Sequence, residues 1–371
     1  MFHFLMVGCQ NEQISCRLEG PLAGYVENIG NLVLAGNINC QGDFHGEIEA
    51  RGLSAGTSIV LPLSQTRDGV INVDLAPLEL FSNRTTVTIK FIPKLGKPIL
   101  IGAVAFTPIH AIPEVVFIVG SPRSGTTAVG NAMQAGYDVS SHGESHLAEL
   151  YDKLVTQSRE FVTKKAAARN PGTLANAVSD VELESILLDS LRHLHKLYYG
   201  ERVIIDKTPG GPMLNALPML FKAYPQAKVI FCKRRGIENV ASRLVKFPKV
   251  PFEQHCRQWR NSFHQWNAAK TTITEFLSSK EWFVEVDQYL LQEKPDIQVE
   301  DIKRSLGLSD EQSMKTLGYL KQHSPQRTSK RKGSKSISEQ GWSEEQQTTF
   351  TSICSKEMKR QGYSLDSSYF I

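Results

Sequence analysis

The chain has no Cys-x-x-Cys pair: its six cysteines, Cys9, Cys16, Cys40, Cys232, Cys256 and Cys354, are scattered over 371 residues. That spacing offers neither a zinc site nor a disulfide framework, and points to buried thiols in a reducing, cytoplasmic setting. An excess of charge is also missing. With 42 Lys and Arg against 38 Asp and Glu the formal net charge is +4, too mild for a nucleic-acid-binding surface, although local basic clusters could serve a small anion. No apolar run is long enough to span a membrane. The opening MFHFLMVGCQ is apolar only briefly and has no basic flank, so it reads as a first strand or a flexible leader. No internal repeat is present, and the one biased tract is the basic, Ser-rich stretch 327–335.

Residues 1–110 lack any convincing helical stripe. Short β-branched or alternating runs recur instead between Gly, Pro and Asn breaks, at 13–18, 31–40, 58–63, 70–75, 85–92 and 99–106. Turn signals at that interval predict an all-β sandwich domain over 1–110. Pro108 and Pro113 punctuate the junction with a second domain, 111–371. There strands alternate with helices. Buried strands are expected at 115–119, 202–206, 228–232 and 282–286, and helices at 126–134, 181–198, 213–223, 237–246, 301–306 and 343–361, with Gly136 and Gly200 as stops. This is the pattern of an α/β fold with a doubly wound, mostly parallel sheet.

The strand at 115–119 runs into IVGSPRSGTT. Gly120 and Gly125 lie five apart and Thr126 and Thr127 follow, nearly the spacing of a P-loop whose backbone N–H groups wrap a phosphate at a helix N-terminus. What is absent is the lysine. A nucleotide triphosphatase needs one where this chain has Thr126, and the nearby cation is Arg123, inside the loop. The loop is built for phosphate without the means for ATP hydrolysis.

The segment PRSGTT resembles the 5′-phosphosulfate loop of sulfotransferases that use 3′-phosphoadenosine 5′-phosphosulfate (PAPS), in motif style closest to the bacterial and tyrosylprotein types. That resemblance implies donor contacts from Arg123, Ser124, Gly125, Thr126 and Thr127. Downstream, KRRGIENVAS places Arg234 at a strand end and Ser242 on the helix that follows. The pair is similar to the family's 3′-phosphate motif, with Arg235 a weaker twin that could simply face solvent. Lys207, in IIDKTP at another strand end, matches a lysine that contacts the reacting sulfonyl or leaving oxygen, with Asp206 orienting it or a loop amide. Glu144, in SHGESHLAEL, matches the family's carboxylate base, which would take the acceptor's proton; His142 and His146 are runners-up. Late in the chain, Arg331, Lys332 and Gly333, then Gly341 and Trp342, are similar to a segment that closes over the nucleotide.

The resemblance spans residues 115–363 and implies in-line transfer of a sulfonyl group to a hydroxyl acceptor, carbohydrate slightly favoured, with 3′,5′-ADP as product and no metal requirement. Catalysis is expected from Glu144, Lys207 and Arg123. Two other readings compete. Asp206 at the end of an apolar strand also fits a Mg²⁺-dependent small-molecule kinase, and the β-rich half fits a non-catalytic glycan-binding protein. Each cue has a bland counterpart: Arg234 as a solvated strand-end cation, Ser242 as an exposed helical hydroxyl, Glu144 as a helix N-terminal acid, and 328–338 as a basic linker. Phe252, Cys256, Trp259, Phe263 and Trp266 recur at helical spacing and are expected in the core.

Overall fold

The computed structural model describes residues 1–8, 14–19, 21–40, 46–52, 58–62, 70–78, 84–95, 97–140, 142–167, 178–277, 281–323 and 334–371. In the first hundred residues, β1 (Phe2–Gly8), β3 (Ala23–Val26), β5 (Gly46–Gly52), β6 (Ser58–Pro62), β8 (Thr85–Pro93) and β9 (Ile99–Pro108) form a six-stranded antiparallel sheet in the order β3-β1-β9-β8-β5-β6. A three-stranded antiparallel sheet holds β2 (Ile14–Glu19), β4 (Val33–Cys40) and β7 (Val70–Asp74) in the order β2-β4-β7. Leu34 and Val73 of the smaller sheet share one apolar core with Phe4, Ile48, Val87 and Val104 of the larger. Strands β3 and β5 are additions to the sequence reading. In β5, GEIEARG, only Ile48 and Ala50 are apolar and buried, too weak an alternation to flag a strand.

At β1 and β9 the larger sheet is buried on both faces, because side chains there alternate between two cores. Val104 and Phe106 of β9 point into the β core, while Ala103 and Ala105 join Leu5 of β1 in a second core that continues into the rest of the chain. Against this small-residue face lies α3 (Asp180–Tyr199), through Val181, Leu188 and Leu191. Polar bonds seal the contact: Thr107 Oγ1 to Ser185 Oγ at 2.9 Å, His3 Nε2 to the Lys222 carbonyl at 2.6 Å, and Arg84 to Asp189 at 2.7 Å.

The remaining residues build a parallel sheet from β10 (Glu114–Gly120), β11 (Val203–Lys207), β12 (Lys228–Lys233) and β13 (Phe283–Asp287), ordered β11-β10-β12-β13. Its strands are near-continuous apolar runs because helices cover both faces. On one face sit α2 (Leu147–Ala167), α3, α4 (Gly211–Ala223), α5 (Gly236–Lys246) and α6 (Phe252–Phe276); on the other sit α1 (Thr126–Tyr137), α8 (Pro295–Leu306) and α9 (Asp310–Gln322), with the short α7 (Gln288–Glu293) leading into α8. The expected α/β class with a parallel sheet is what forms. Trp259, Phe263 and Trp266 are buried, as their spacing predicts.

Two local readings are corrected. Gly136 does not stop α1; the helix runs to Tyr137 and ends at Asp138, whose φ is 53°. Gly136 is small because α9 crosses there, with Thr316 and the Gln312 carbonyl filling the space of a Cβ. Arg235 does not face solvent. It is 0% exposed, and its guanidinium donates to the carbonyls of Ser364 (3.3 Å), Asp366 (2.9 Å), Ser368 (2.6 Å) and Lys335 (2.6 Å) and to Glu238. It thereby fastens the C-terminal tail, which follows α10 (Glu344–Arg360), to the first turn of α5.

Removing that guanidinium strands four carbonyls and a carboxylate. Arg235→Met is therefore expected to cost about 3–5 kcal/mol, read as a lowered Tm and early proteolysis of the tail. Arg235→Lys should recover little of this, because one ammonium cannot reach five acceptors.

Candidate active site

Strand β10 has β11 on one side and β12 on the other, so its carboxyl end opens into the crevice where open α/β sheets bind ligands. Gly120 ends the strand at a φ of 145°, and a Cβ there would collide with the Cys232 carbonyl oxygen on β12. Its own carbonyl accepts from the Gly210 amide at 2.8 Å. The following loop turns tightly, with positive φ at Arg123 (75°) and Gly125 (89°). Asn239 of α5, wholly buried, braces it from behind: its Nδ2 donates to the Pro122 carbonyl at 3.1 Å and to Ser124 Oγ at 3.0 Å. Gly125 gives α1 no side-chain cap, so the first-turn N–H groups of Thr126 and Thr127 point out at the positive end of the helix dipole.

The loop and the strand-end pair meet. Arg123 Nε donates to Ser242 Oγ at 3.1 Å, and an Arg234 terminal nitrogen donates to the Arg123 carbonyl at 3.1 Å. Trp259 Nε1 holds the Arg234 carbonyl at 3.0 Å. Burial pulls the Arg234 guanidinium below its ordinary pKa, with Tyr369 and Glu238 opposing; arginine stays protonated regardless. Arg123, Gly125, Thr126, Thr127 and Arg234 share the wall of one cavity of about 360 Å³, large enough for a nucleotide-sized ligand. Ser124 lies behind this wall, buried at 1% exposure.

The same cavity has residues the sequence reading missed. Asn131, Gln288, Tyr319 and His323 complete its wall, and the Tyr319 and His323 rings stack at 4.2 Å and 16°. They stand four apart on and just beyond α9. That helix announces itself by a capping box, Ser309 with Gln312, which is the signal that could have found them. Arg331, Lys332 and Gly333 lie outside the described residues. Trp342 packs on Phe252 and Phe350, with ring centroids 5.1 and 5.2 Å away, and is not part of the cavity wall.

Beside the loop, Lys207 ends β11. Its Nζ lies 3.1 Å from Glu144 Oε1, while Glu144 Oε2 lies 3.2 Å from His146 Nε2. Glu144 is partly open to solvent, 38% exposed against 9% for Lys207. Asp206 fixes the segment that carries it: buried, it accepts from Ser145 Oγ at 2.6 Å and from Thr208 Oγ1 at 2.7 Å, and Thr208 Oγ1 in turn accepts from the Ser145 amide at 3.1 Å. Both Asp206 oxygens thus serve as loop anchors. His142 stands edge-on to Tyr198 and Tyr199, 5.8 Å from each ring.

Comparison with known proteins follows the same region of the chain. A search of curated proteins found no match. Similar solved structures include the sulfotransferase domain of an olefin synthase from Synechococcus PCC 7002, at 20% identity over 56% of this chain and 78% of that one, with a TM-score of 0.36. Sulfotransferase STF1 from Mycobacterium tuberculosis H37Rv is 20% identical over 66% of this chain and 78% of its own, with a TM-score of 0.37. STF9 from Mycobacterium avium is 14% identical over 68% and 77%, with a TM-score of 0.38. The sequence pattern of the sulfotransferase family matches residues 113–312, over half of the chain, from just before β10 into α9. On that match the chain belongs to the sulfotransferase family.

Proposed function

We propose that the chain transfers a sulfonyl group from PAPS to a hydroxyl acceptor and releases 3′,5′-ADP. One observation carries this reading: Arg234 bonds the Arg123 backbone and the two guanidiniums line one cavity together, while Ser242, outside that wall, is tied to it through Arg123 Nε. A donor with phosphate at both ends of its ribose needs two such sites at a fixed separation. In this reading the amides of Ser124, Gly125, Thr126 and Thr127 take the 5′ group, and Arg234 with Ser242 takes the 3′-phosphate. The Tyr319–His323 stack offers a face for the base, and Arg331, Lys332 and Gly333 cover it.

The acceptor oxygen forms a bond to sulfur as the bond from sulfur to the bridging phosphate oxygen breaks. Glu144 receives the acceptor proton, and Lys207 with Arg123 offsets the charge gathering on the departing phosphate. Glu144 must exchange its contact with Lys207 for the acceptor hydroxyl, and its partial exposure gives that hydroxyl access. A small cleft of about 100 Å³ lined by His146, Thr208, Pro212 and Met213 adjoins this carboxylate's loop, room for the reacting end of an acceptor with the rest of it outside. We read residues 1–110 as a β-sandwich domain, on the core shared by its two sheets, with glycan contact its role and carbohydrate the favoured acceptor, and 111–371 as the catalytic domain. The buried free thiols of Cys232, Cys256 and Cys354 agree with a cytoplasmic setting.

Calorimetry should show 3′,5′-ADP binding in excess EDTA, with ATP a poor competitor; a strict need for Mg²⁺ would favour phosphoryl transfer instead. Arg234→Ala should weaken 3′,5′-ADP by about 10- to 100-fold, the worth of a charge-assisted contact, and Ser242→Ala by less, while 5′-AMP binding changes little. Retained preference for 3′,5′-ADP over 5′-AMP in Arg234→Ala would place the clamp elsewhere.

Glu144→Gln should keep nucleotide affinity and lower turnover by about 10²- to 10⁴-fold, the usual loss for a general base. Lys207→Ala should cut turnover most for donors with poor leaving groups. Near-normal turnover in Glu144→Gln would move the proton transfer to His142 or His146.

A further inference from the structure

A second cavity, of about 460 Å³, lies at the other edge of the parallel sheet. It is roofed by the segment joining β9 to β10, walled by α3 and by Arg84 ahead of β8, and floored by Ile204 and Tyr224. Its residues sit near the amino ends of β10 and β11, whereas Gly120 and Lys207 are at the carboxyl ends. A seven-residue strand places these edges roughly 20 Å apart, so the two cavities are separate.

The polar end of this cavity holds an unbalanced charge. Arg192 is only 10% exposed, and its Nε and one terminal nitrogen have no hydrogen-bond partner. Its nearest carboxylate, Asp189, lies 3.6 Å away through Oδ1 and gives its other oxygen to Arg84 at 2.7 Å, and the second terminal nitrogen of Arg192 donates to the Ala223 carbonyl at 3.5 Å. Arg84 itself keeps a buried terminal nitrogen without a partner. Lys196 pairs with Glu201, which leaves two guanidiniums against one carboxylate, or one net positive charge. Burial is the largest influence drawing the Arg192 pKa down, as expected for a desolvated cation short of acceptors. Such a cation costs stability unless an acceptor reaches it. The other end is apolar, formed by Pro108, Ile109, Ala111, Pro113 and the half-exposed Ile186.

We propose that this cavity binds a small amphiphilic monoanion, its oxyanion head beside the Arg192 and Arg84 guanidiniums that line the polar end and its hydrocarbon body against the Pro108–Pro113 segment and Ile186. A planar or tetrahedral oxyanion fits the guanidinium fork, and a single negative charge balances the count. The site belongs to the junction of the β-region with α3 and is independent of nucleotide binding at the carboxyl edge.

Hexanoate is a suitable probe, with hexanol lacking the head and acetate lacking the body. Calorimetry on the full chain should show hexanoate binding at least tenfold tighter than either control. Arg192→Met should abolish the preference over hexanol. Ile186→Glu, at the open rim where folding is not at stake, should weaken hexanoate at least tenfold by repulsion while 3′,5′-ADP binding stays unchanged. If Arg192→Met does not fold, the rim variant decides alone. Equal binding of hexanol, no hexanoate binding at millimolar concentration, or an Ile186→Glu protein that binds hexanoate normally would each overturn the proposal.

Discussion

Two adjacent guanidiniums leave the end of β12 in opposite directions, and the arrangement of the site depends on that divergence. Arg235 goes inward, where four backbone carbonyls and Glu238 absorb its charge and Tyr369 lies beneath it at 5.1 Å. Arg234 is left facing the loop, its carbonyl pinned by Trp259. Swapping the two roles would require the tail, α5 and α6 to repack together. A buried arginine of this kind contributes less through net energy than through register: its acceptors exist only in one arrangement of tail and helix.

The parts of the site carried by a short stretch of chain were legible in the sequence. The loop at 120–127 is a local device, since glycines at fixed spacing between an apolar run and a helix leave few alternatives. Lys207 and Arg234 could be placed because each ends a run of buried β-branched residues, and parallel strands bring such ends to one edge. The destination of Arg235 was not legible. Three of its carbonyl partners are more than a hundred residues away in sequence, and the nearby Glu238 would pair equally well with a solvated arginine. Tyr319 and His323 escaped for a similar reason: α9 is mostly polar, so its weak periodicity hid a helix that its cap would have revealed.

The two neighbouring carboxylates, Asp206 and Glu144, are held in different ways. Asp206 is buried and doubly bonded to hydroxyls, and the residue after Glu144 is the one it grips. Glu144 itself contacts two basic side chains, Lys207 and His146. A partly exposed carboxylate held only by two side chains can change partners without the backbone moving. The neighbouring carboxylate, satisfied by neutral donors, has no such freedom.

The brace from Asn239 has a thermodynamic consequence. Because that side chain already grips Pro122 and Ser124, and Gly120 is wedged between Cys232 and Gly210, the loop's conformational entropy is surrendered when the chain folds. A ligand arriving at the α1 terminus meets amides already aimed. Association there is then governed by desolvation and charge, with little chain ordering left to drive a heat-capacity change.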